Sequence, residues 1–144
     1  MTIQSMKVSI PSRDGQLIPA HLAVPARGNG PGIVLMQEIF GVNAYMREVA
    51  AWHASRGFVV VCPDLFWRQE PGVELTDRTD AEWGRGVALM RGMDESLAVA
   101  DCAAAVDFLR ALPACTGRVG GVGFCLGGRL AYLVAAGNHA DACV

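Results

Sequence analysis

Three short apolar runs constrain this chain more than anything else in it. They are Gly32–Met36 (GIVLM), Phe58–Cys62 (FVVVC) and Val119–Phe124 (VGGVGF). A short, almost wholly apolar run is the mark of a strand buried on both faces, as in a parallel sheet. Helical patterns separate the runs. Asn43 is placed to cap a helix over 44–55, with Gly57 just past its end. A second helix is predicted over 80–91. A third covers 94–112, with Leu97, Ala100, Ala104, Phe108 and Leu112 along one face. A fourth covers 126–136. In front of all this, 6–10 and 18–24 alternate apolar and polar residues around Ser12-Arg13-Asp14-Gly15, which predicts an antiparallel hairpin. Residues 65–79, with Pro71-Gly72, read as a long loop, and Ala140 to Val144 opens a further strand. The expected fold class is therefore α/β. It is a single domain over 1–144, with a mostly parallel sheet, helices on both faces and the hairpin attached at one edge.

Composition removes several classes of function. Hydrophobic residues make up 52% and charged residues 18%, too apolar for a disordered chain. The net charge is -2 and no basic stripe is present, so nucleic acid is not expected as a partner. Residues 119–137 are apolar enough to suggest a membrane helix. However, Arg129 sits in the middle and glycines crowd the first half, so a buried strand followed by a buried helix is expected instead. The five cysteines include no C-x-x-C pair, and MTIQSMKVSI has no apolar signal region. Free thiols in a cytoplasmic setting follow as the expectation. No His/Cys/Asp cluster has ligand spacing, so neither a metal nor an organic cofactor is implied.

The chemistry concentrates at Gly121-Val122-Gly123-Phe124-Cys125-Leu126-Gly127-Gly128, between a strand and a helix. Gly123 to Gly127 matches G-x-S-x-G with cysteine in the serine position, the nucleophile elbow of α/β-hydrolases. Glycines two before and two after leave room for a tight strand-to-helix turn. Cys125 then projects above the sheet at a helix N-terminus, which favours a thiolate. The other four cysteines read as small core residues. The same glycines, Gly121, Gly123 and Gly127, also resemble a dinucleotide-binding turn. Against that reading, two buried strands come earlier, and Asp141 precedes the final apolar residues instead of following them. The loop after the first buried strand, Gln37-Glu38-Ile39-Phe40-Gly41, lies at the same end of the sheet. In an α/β-hydrolase it supplies one oxyanion-hole N–H, the residue after the nucleophile supplies the other, and Glu38 stands beside the elbow.

These segments resemble the dienelactone hydrolase (carboxymethylenebutenolidase) family. The resemblance rests on Gln37 to Asn43, Cys62 to Phe66, Trp67 to Gly72 and Val122 to Gly128. It implies Cys125 as nucleophile and Glu38 as the group that hydrogen-bonds the resting thiol and helps to deprotonate it. It implies the N–H groups of Ile39 and Leu126 as the oxyanion hole. The reaction implied is opening of a small lactone or ester through an acyl-enzyme that water hydrolyses. The family also holds a substrate carboxylate with arginine. At the aligned position this chain has Trp83, with Arg78 and Arg85 close on either side as substitutes.

One departure is large. In this fold the triad acid and histidine follow the nucleophile. Cys125 has only 19 residues after it, with His139 and Asp141 as the candidates. His139 lies at the far end of the helix that begins at Cys125, about 16 Å along its axis. His21 and His53 precede the nucleophile on scaffold elements and read as structural or exposed. The chain is therefore expected to be the front portion of a longer protein, inactive alone, and prone to self-association through an exposed sheet edge. Besides the dinucleotide-binding domain, the alternative is a non-catalytic relative with a dead site.

Overall fold

The apolar runs become the middle of a six-stranded sheet. The computed structural model describes residues 2–144. In chain order the elements are β1 (Gln4–Pro11), β2 (Leu17–Val24), β3 (Gly30–Met36), α1 (Ala44–Ser55), β4 (Val59–Pro63), α2 (Asp80–Gly92), α3 (Glu95–Ala111), β5 (Cys115–Gly123), α4 (Leu126–Ala136) and β6 (Ala142–Cys143). The spatial order is β1-β2-β4-β3-β5-β6. β3 runs parallel to both β4 and β5, and β5 parallel to β6. The hairpin joins as expected: β1 and β2 are antiparallel, and β2 docks antiparallel on β4.

Both faces of the central strands are dry, because successive side chains enter two different cores. Val34, Met36, Val59 and Val61 face the core shared with α3 and α4, whereas Ile33, Leu35, Val60 and Cys62 face α1. Each such aliphatic residue contributes about 1.5–3 kcal/mol when fully buried. Two-sided burial is why the runs show no alternation in the sequence. The capping prediction for α1 holds: the Asn43 side chain accepts from Met46 N at 3.0 Å, and Gly57 adopts φ +96° beyond the helix end.

The strand and helix expected over 119–137 are present as the end of β5 followed by α4, and no helix among the described residues is long and apolar enough to cross a membrane. Two sequence expectations need correction. β5 begins at Cys115, four residues earlier than its apolar part, because Gly30 pairs with Cys115 before a bulge. The buried face of α3 is rotated from the predicted line: Ala98, Cys102, Ala105 and Leu109 face inward, whereas of the predicted residues Ala104 is buried, Phe108 and Leu112 pack at the core's edge and Leu97 is exposed. A buried carboxylate turns the helix this way. Asp101 accepts from Trp67 Nε1 at 2.9 Å and from Arg68 Nη2 at 2.8 Å, and Arg68 also binds Asp14 of the hairpin turn. The alanines let α3 approach the sheet closely, so small residues are the ones buried.

Register fixes where a site can form. Met36 pairs with Gly123 at the carboxyl end of the sheet. The chain therefore leaves β3 toward Glu38 and leaves β5 toward Cys125 at one level, where open α/β sheets place ligands.

Candidate active site

The turn between β5 and α4 is a compressed elbow. Cys125 adopts φ 57° and ψ −122°, a left-handed conformation that costs a residue with a Cβ about 1–3 kcal/mol. The surrounding glycines explain how the turn closes. A Cβ on Gly123 would lie 2.1 Å from Gly127 O, and one on Gly127 would lie 2.3 Å from Met36 O and 2.7 Å from Gln37 O. The start of α4 thus rests directly on the backbone where β3 ends. This packing accounts for Gly123 and Gly127 without a bound dinucleotide, since both are needed for the helix to close onto the strand. The Cys125 side chain is exposed and caps nothing in its own helix.

The loop after β3 is clamped from three sides. Gln37 is fully buried; its Oε1 accepts from Leu65 N at 2.8 Å and its Nε2 donates to Glu38 O at 3.2 Å. Gly41, at φ +79°, sits so close to Val73 that a Cβ would meet Val73 O at 2.0 Å. Leu75 N donates to Phe40 O at 2.9 Å, and Asn43 Nδ2 donates to Leu75 O at 2.8 Å. The loop 65–79 is thus the brace of this end of the sheet. Ile39 is buried under α2, where a Cβ on Gly86 would lie 2.7 Å from Ile39 O. Among the described residues, neither Ile39 N–H nor Leu126 N–H donates a backbone hydrogen bond.

Two depressions flank this junction. Glu38 lines a cleft of about 400 Å³ with Phe40, Tyr45, Glu48, Asp77 and Arg78. Burial, and secondarily the Asp77 carboxylate, hold the Glu38 carboxyl above its ordinary range. Cys125 lines a second depression of about 430 Å³ with Met90, Met93, Glu95, Leu126 and Arg129. The two side chains thus emerge from adjacent strand ends but face different hollows, and no hydrogen bond joins them among the described residues.

The structure separates the predicted arginines. Arg78 belongs to the Glu38 cleft. Arg85 is tied instead to Glu70 in an exposed ion pair. Trp83 packs edge-on against Phe40 at 5.1 Å and donates from Nε1 to Asp77 O at 3.0 Å, so it backs two residues that line the Glu38 cleft without lining it itself. His139 follows α4 and its N–H donates to Val134 O, a helix length from Cys125. Asp141 accepts from Val119 N at 2.8 Å and pairs with Arg110, so it ties β5 to α3. His53 Nδ1 bonds Val49 O on α1. His21 is half-buried on β2, and its buried Nε2 has no hydrogen-bond partner among the described residues. Met90, Met93, Glu95 and Arg129 escaped the sequence reading. Arg129 had a visible signal, because four residues after the nucleophile is one helical turn. Among the described residues no three His, Cys, Asp or Glu side chains gather as a metal site.

The profile of the dienelactone hydrolase family matches residues 18–144. The chain belongs to this family. It is 46% identical over 137 residues to a carboxymethylenebutenolidase of Pseudomonas sp., a match that takes in 95% of this chain and 58% of that relative. It is 44% identical to carboxymethylenebutenolidase 1 of Cupriavidus pinatubonensis, over 93% of this chain and 57% of the other. Among solved structures, a dienelactone-hydrolase-like promiscuous phosphotriesterase from metagenomic libraries superposes with a TM-score of 0.73 at 25% identity. That match covers 94% of this chain and 54% of the other. The chain thus spans somewhat over half the length of the relatives it matches.

Proposed function

We propose that this chain carries the nucleophile and oxyanion end of a hydrolase acting on a small lactone or ester, with Cys125 as nucleophile. The observation that carries the reading is the Cys125 backbone: a strained turn, closed by two glycines that tolerate no side chain, holding one exposed thiol at the start of α4. Strain at a residue that could relax elsewhere is retained where it aims a reacting group. Cys125 Sγ attacks the carbonyl carbon, and the oxygen that gains charge is held by the unused N–H groups of Ile39 and Leu126. The C–O bond to the leaving oxygen breaks and a thioester forms. For the proton to move, Glu38 must turn from its own hollow toward Cys125 when substrate binds; its carboxylate then takes the thiol proton and passes it to the leaving oxygen. Water then cleaves the thioester and restores the thiol. Burial supports this role for Glu38, since a carboxyl with a raised pKa is the stronger proton acceptor.

The test is acylation by an activated aryl ester such as p-nitrophenyl acetate. After a short exposure of the full chain, peptide mapping should find one acetyl group, on Cys125, and Cys125→Ala should stay unmodified. Acetyl groups spread over other thiols, with Cys125 bare, would overturn the assignment.

A further inference from the structure

Gln37 meets both sides of the junction between β3 and the elbow. Its backbone carbonyl lies under the first turn of α4, where a Cβ on Gly127 would come within 2.7 Å of it. Its side chain is fully buried, and a buried amide is costly unless each of its groups is bonded. Oε1 accepts from Leu65 N at 2.8 Å and Nε2 donates to Glu38 O at 3.2 Å. One partner needs an acceptor and the other a donor, so the amide has a single workable orientation. The Leu65 bond alone would anchor the loop. The second bond goes to an oxygen that Gly41 N–H already serves, at 3.4 Å. It adds direction to that peptide, where satisfaction was already met. Glu38 O and the Ile39 N–H share one peptide plane and point opposite ways across a trans bond. Holding the oxygen therefore fixes where the N–H points. Ile39 is buried, yet its N–H makes no backbone hydrogen bond among the described residues.

We propose that Gln37 is a positioning residue of the oxyanion hole: its side-chain amide holds the Glu38–Ile39 peptide so that the Ile39 N–H meets the oxygen that gains charge at Cys125. The proposal rests on Cys125 as nucleophile and on Ile39 and Leu126 as the oxyanion donors. A donor fixed before the reaction needs no reorganisation as charge develops, and a hydrogen bond weakens steeply once its angle is lost. Gln37 touches neither substrate nor reacting atoms. Its effect falls only on steps that place charge on oxygen.

The test sets two reactions of one thiolate side by side on the full chain. Both begin after the thiol proton has gone to Glu38 or to buffer. With p-nitrophenyl acetate, Cys125 Sγ adds to the carbonyl carbon, the carbonyl oxygen becomes an oxyanion, and p-nitrophenolate leaves as the thioester forms. With iodoacetamide, Sγ displaces iodide directly and no oxyanion arises. The thiolate fraction cancels in the ratio of acylation to alkylation at Cys125, each rate read by peptide mapping. Gln37→Met keeps the length of the side chain, adds no charge and loses both bonds. Its ratio should fall about tenfold, a part of the roughly 10²–10³ that loss of an oxyanion donor costs. In Gln37→Glu the carboxyl still accepts from Leu65 N but donates to Glu38 O only while protonated, and burial favours the protonated form. Its ratio should lie near the parent's at about pH 5 and fall as pH rises to about 8, while the parent's stays level. A cooperatively melting Gln37→Met chain with the parent's ratio, including one in which both rates fall together, overturns the proposal and leaves Gln37 a purely structural residue. If Gln37→Met does not fold, Gln37→Glu decides, and a ratio level with pH overturns the proposal. A Cys125 that neither reagent modifies, beside other thiols that react, overturns the nucleophile reading and this proposal with it.

Discussion

Two adjacent glycines at the start of α4 should respond to alanine with opposite signs. A Cβ on Gly127 would meet Met36 O at 2.3 Å, Gln37 O at 2.7 Å and Met36 C at 2.8 Å. These are about 1 Å inside ordinary contact distance. All three atoms are backbone at the end of β3, a strand paired on both sides, so no side chain can swing away. Relief requires lifting α4 off the sheet, which opens the elbow and unpacks Leu130 and Val134. Overpacking costs about 1–3 kcal/mol, and rigid backbone on both sides puts Gly127→Ala at the upper end. At Gly128 the nearest atom is Gly123 O at 3.4 Å, an ordinary contact. There alanine gains helix propensity worth up to about 1 kcal/mol, less in a first turn, so Gly128→Ala should be neutral or stabilising by roughly 0.5 kcal/mol. For a chain of this length, about 3 °C in Tm corresponds to 1 kcal/mol, so Gly127→Ala should melt roughly 8–10 °C lower and Gly128→Ala level with the parent or slightly above it. Urea titration at constant slope measures the same differences. A Gly127→Ala chain as stable as the parent would show that α4 does not rest on the end of β3. Equal losses at both positions would show that the helix tolerates no side chain there for a reason other than this contact.

Two further outcomes follow from buried groups. Asp101→Ala removes the only carboxylate at Trp67 Nε1 and the inner partner of Arg68. Breaking a buried pair costs about 3–5 kcal/mol, and the lower end applies because Arg68 keeps Asp14. A urea midpoint implying less than about 1 kcal/mol would refute the strut, and Asp107→Ala, which loses only the exposed pair with Arg13, should change little. Burial, then the neighbouring Asp64, push the Cys62 thiol from 9.0 up to about 12. The folded state keeps this proton where the unfolded chain releases it, so stability is full below about pH 9 and falls as pH rises toward 12, by up to about 1.4 kcal/mol per pH unit for the thiol. The alkaline fall of Tm should be shallower in Cys62→Ala than in the parent; parallel curves would contradict it.

What the sequence disclosed tracks how locally each feature is determined. The strands β3 and β4 were legible because burial on both faces leaves no polar residue in GIVLM or VVVC. The bounds of α1 were legible because Asn43 and Gly57 are local signals. The elbow was legible because its glycines answer a steric demand within five residues of chain. The buried face of α3 was not, since Asp101 turns inward for Trp67 and Arg68, thirty-odd residues away in sequence. A carboxylate looks like an exposed residue until its distant partner is known. The same holds at the site. Glu38 and Arg78 share a cleft only because Gln37 and Gly41 lock the loop after β3 against the loop 65–79. Glu95 reaches Arg129 only because α3 and α4 pack side by side on one face of the sheet.

This division has a consequence for how such a site can change. On the proposed reading, the parts that aim the reaction are backbone or buried: the Cys125 turn, Gly123 and Gly127, Gly41, Gln37, and the N–H groups of Ile39 and Leu126. Each is bounded by atoms that cannot move, so substitution there disturbs the fold as well as the chemistry. The charged side chains around the two hollows are exposed or half-exposed: Arg78, Arg129 and Glu95. Exposed pairs contribute little to stability, so these positions can exchange charge or size at small cost to the fold. On that reading the scaffold fixes the reaction type, and substrate preference falls to a few surface positions.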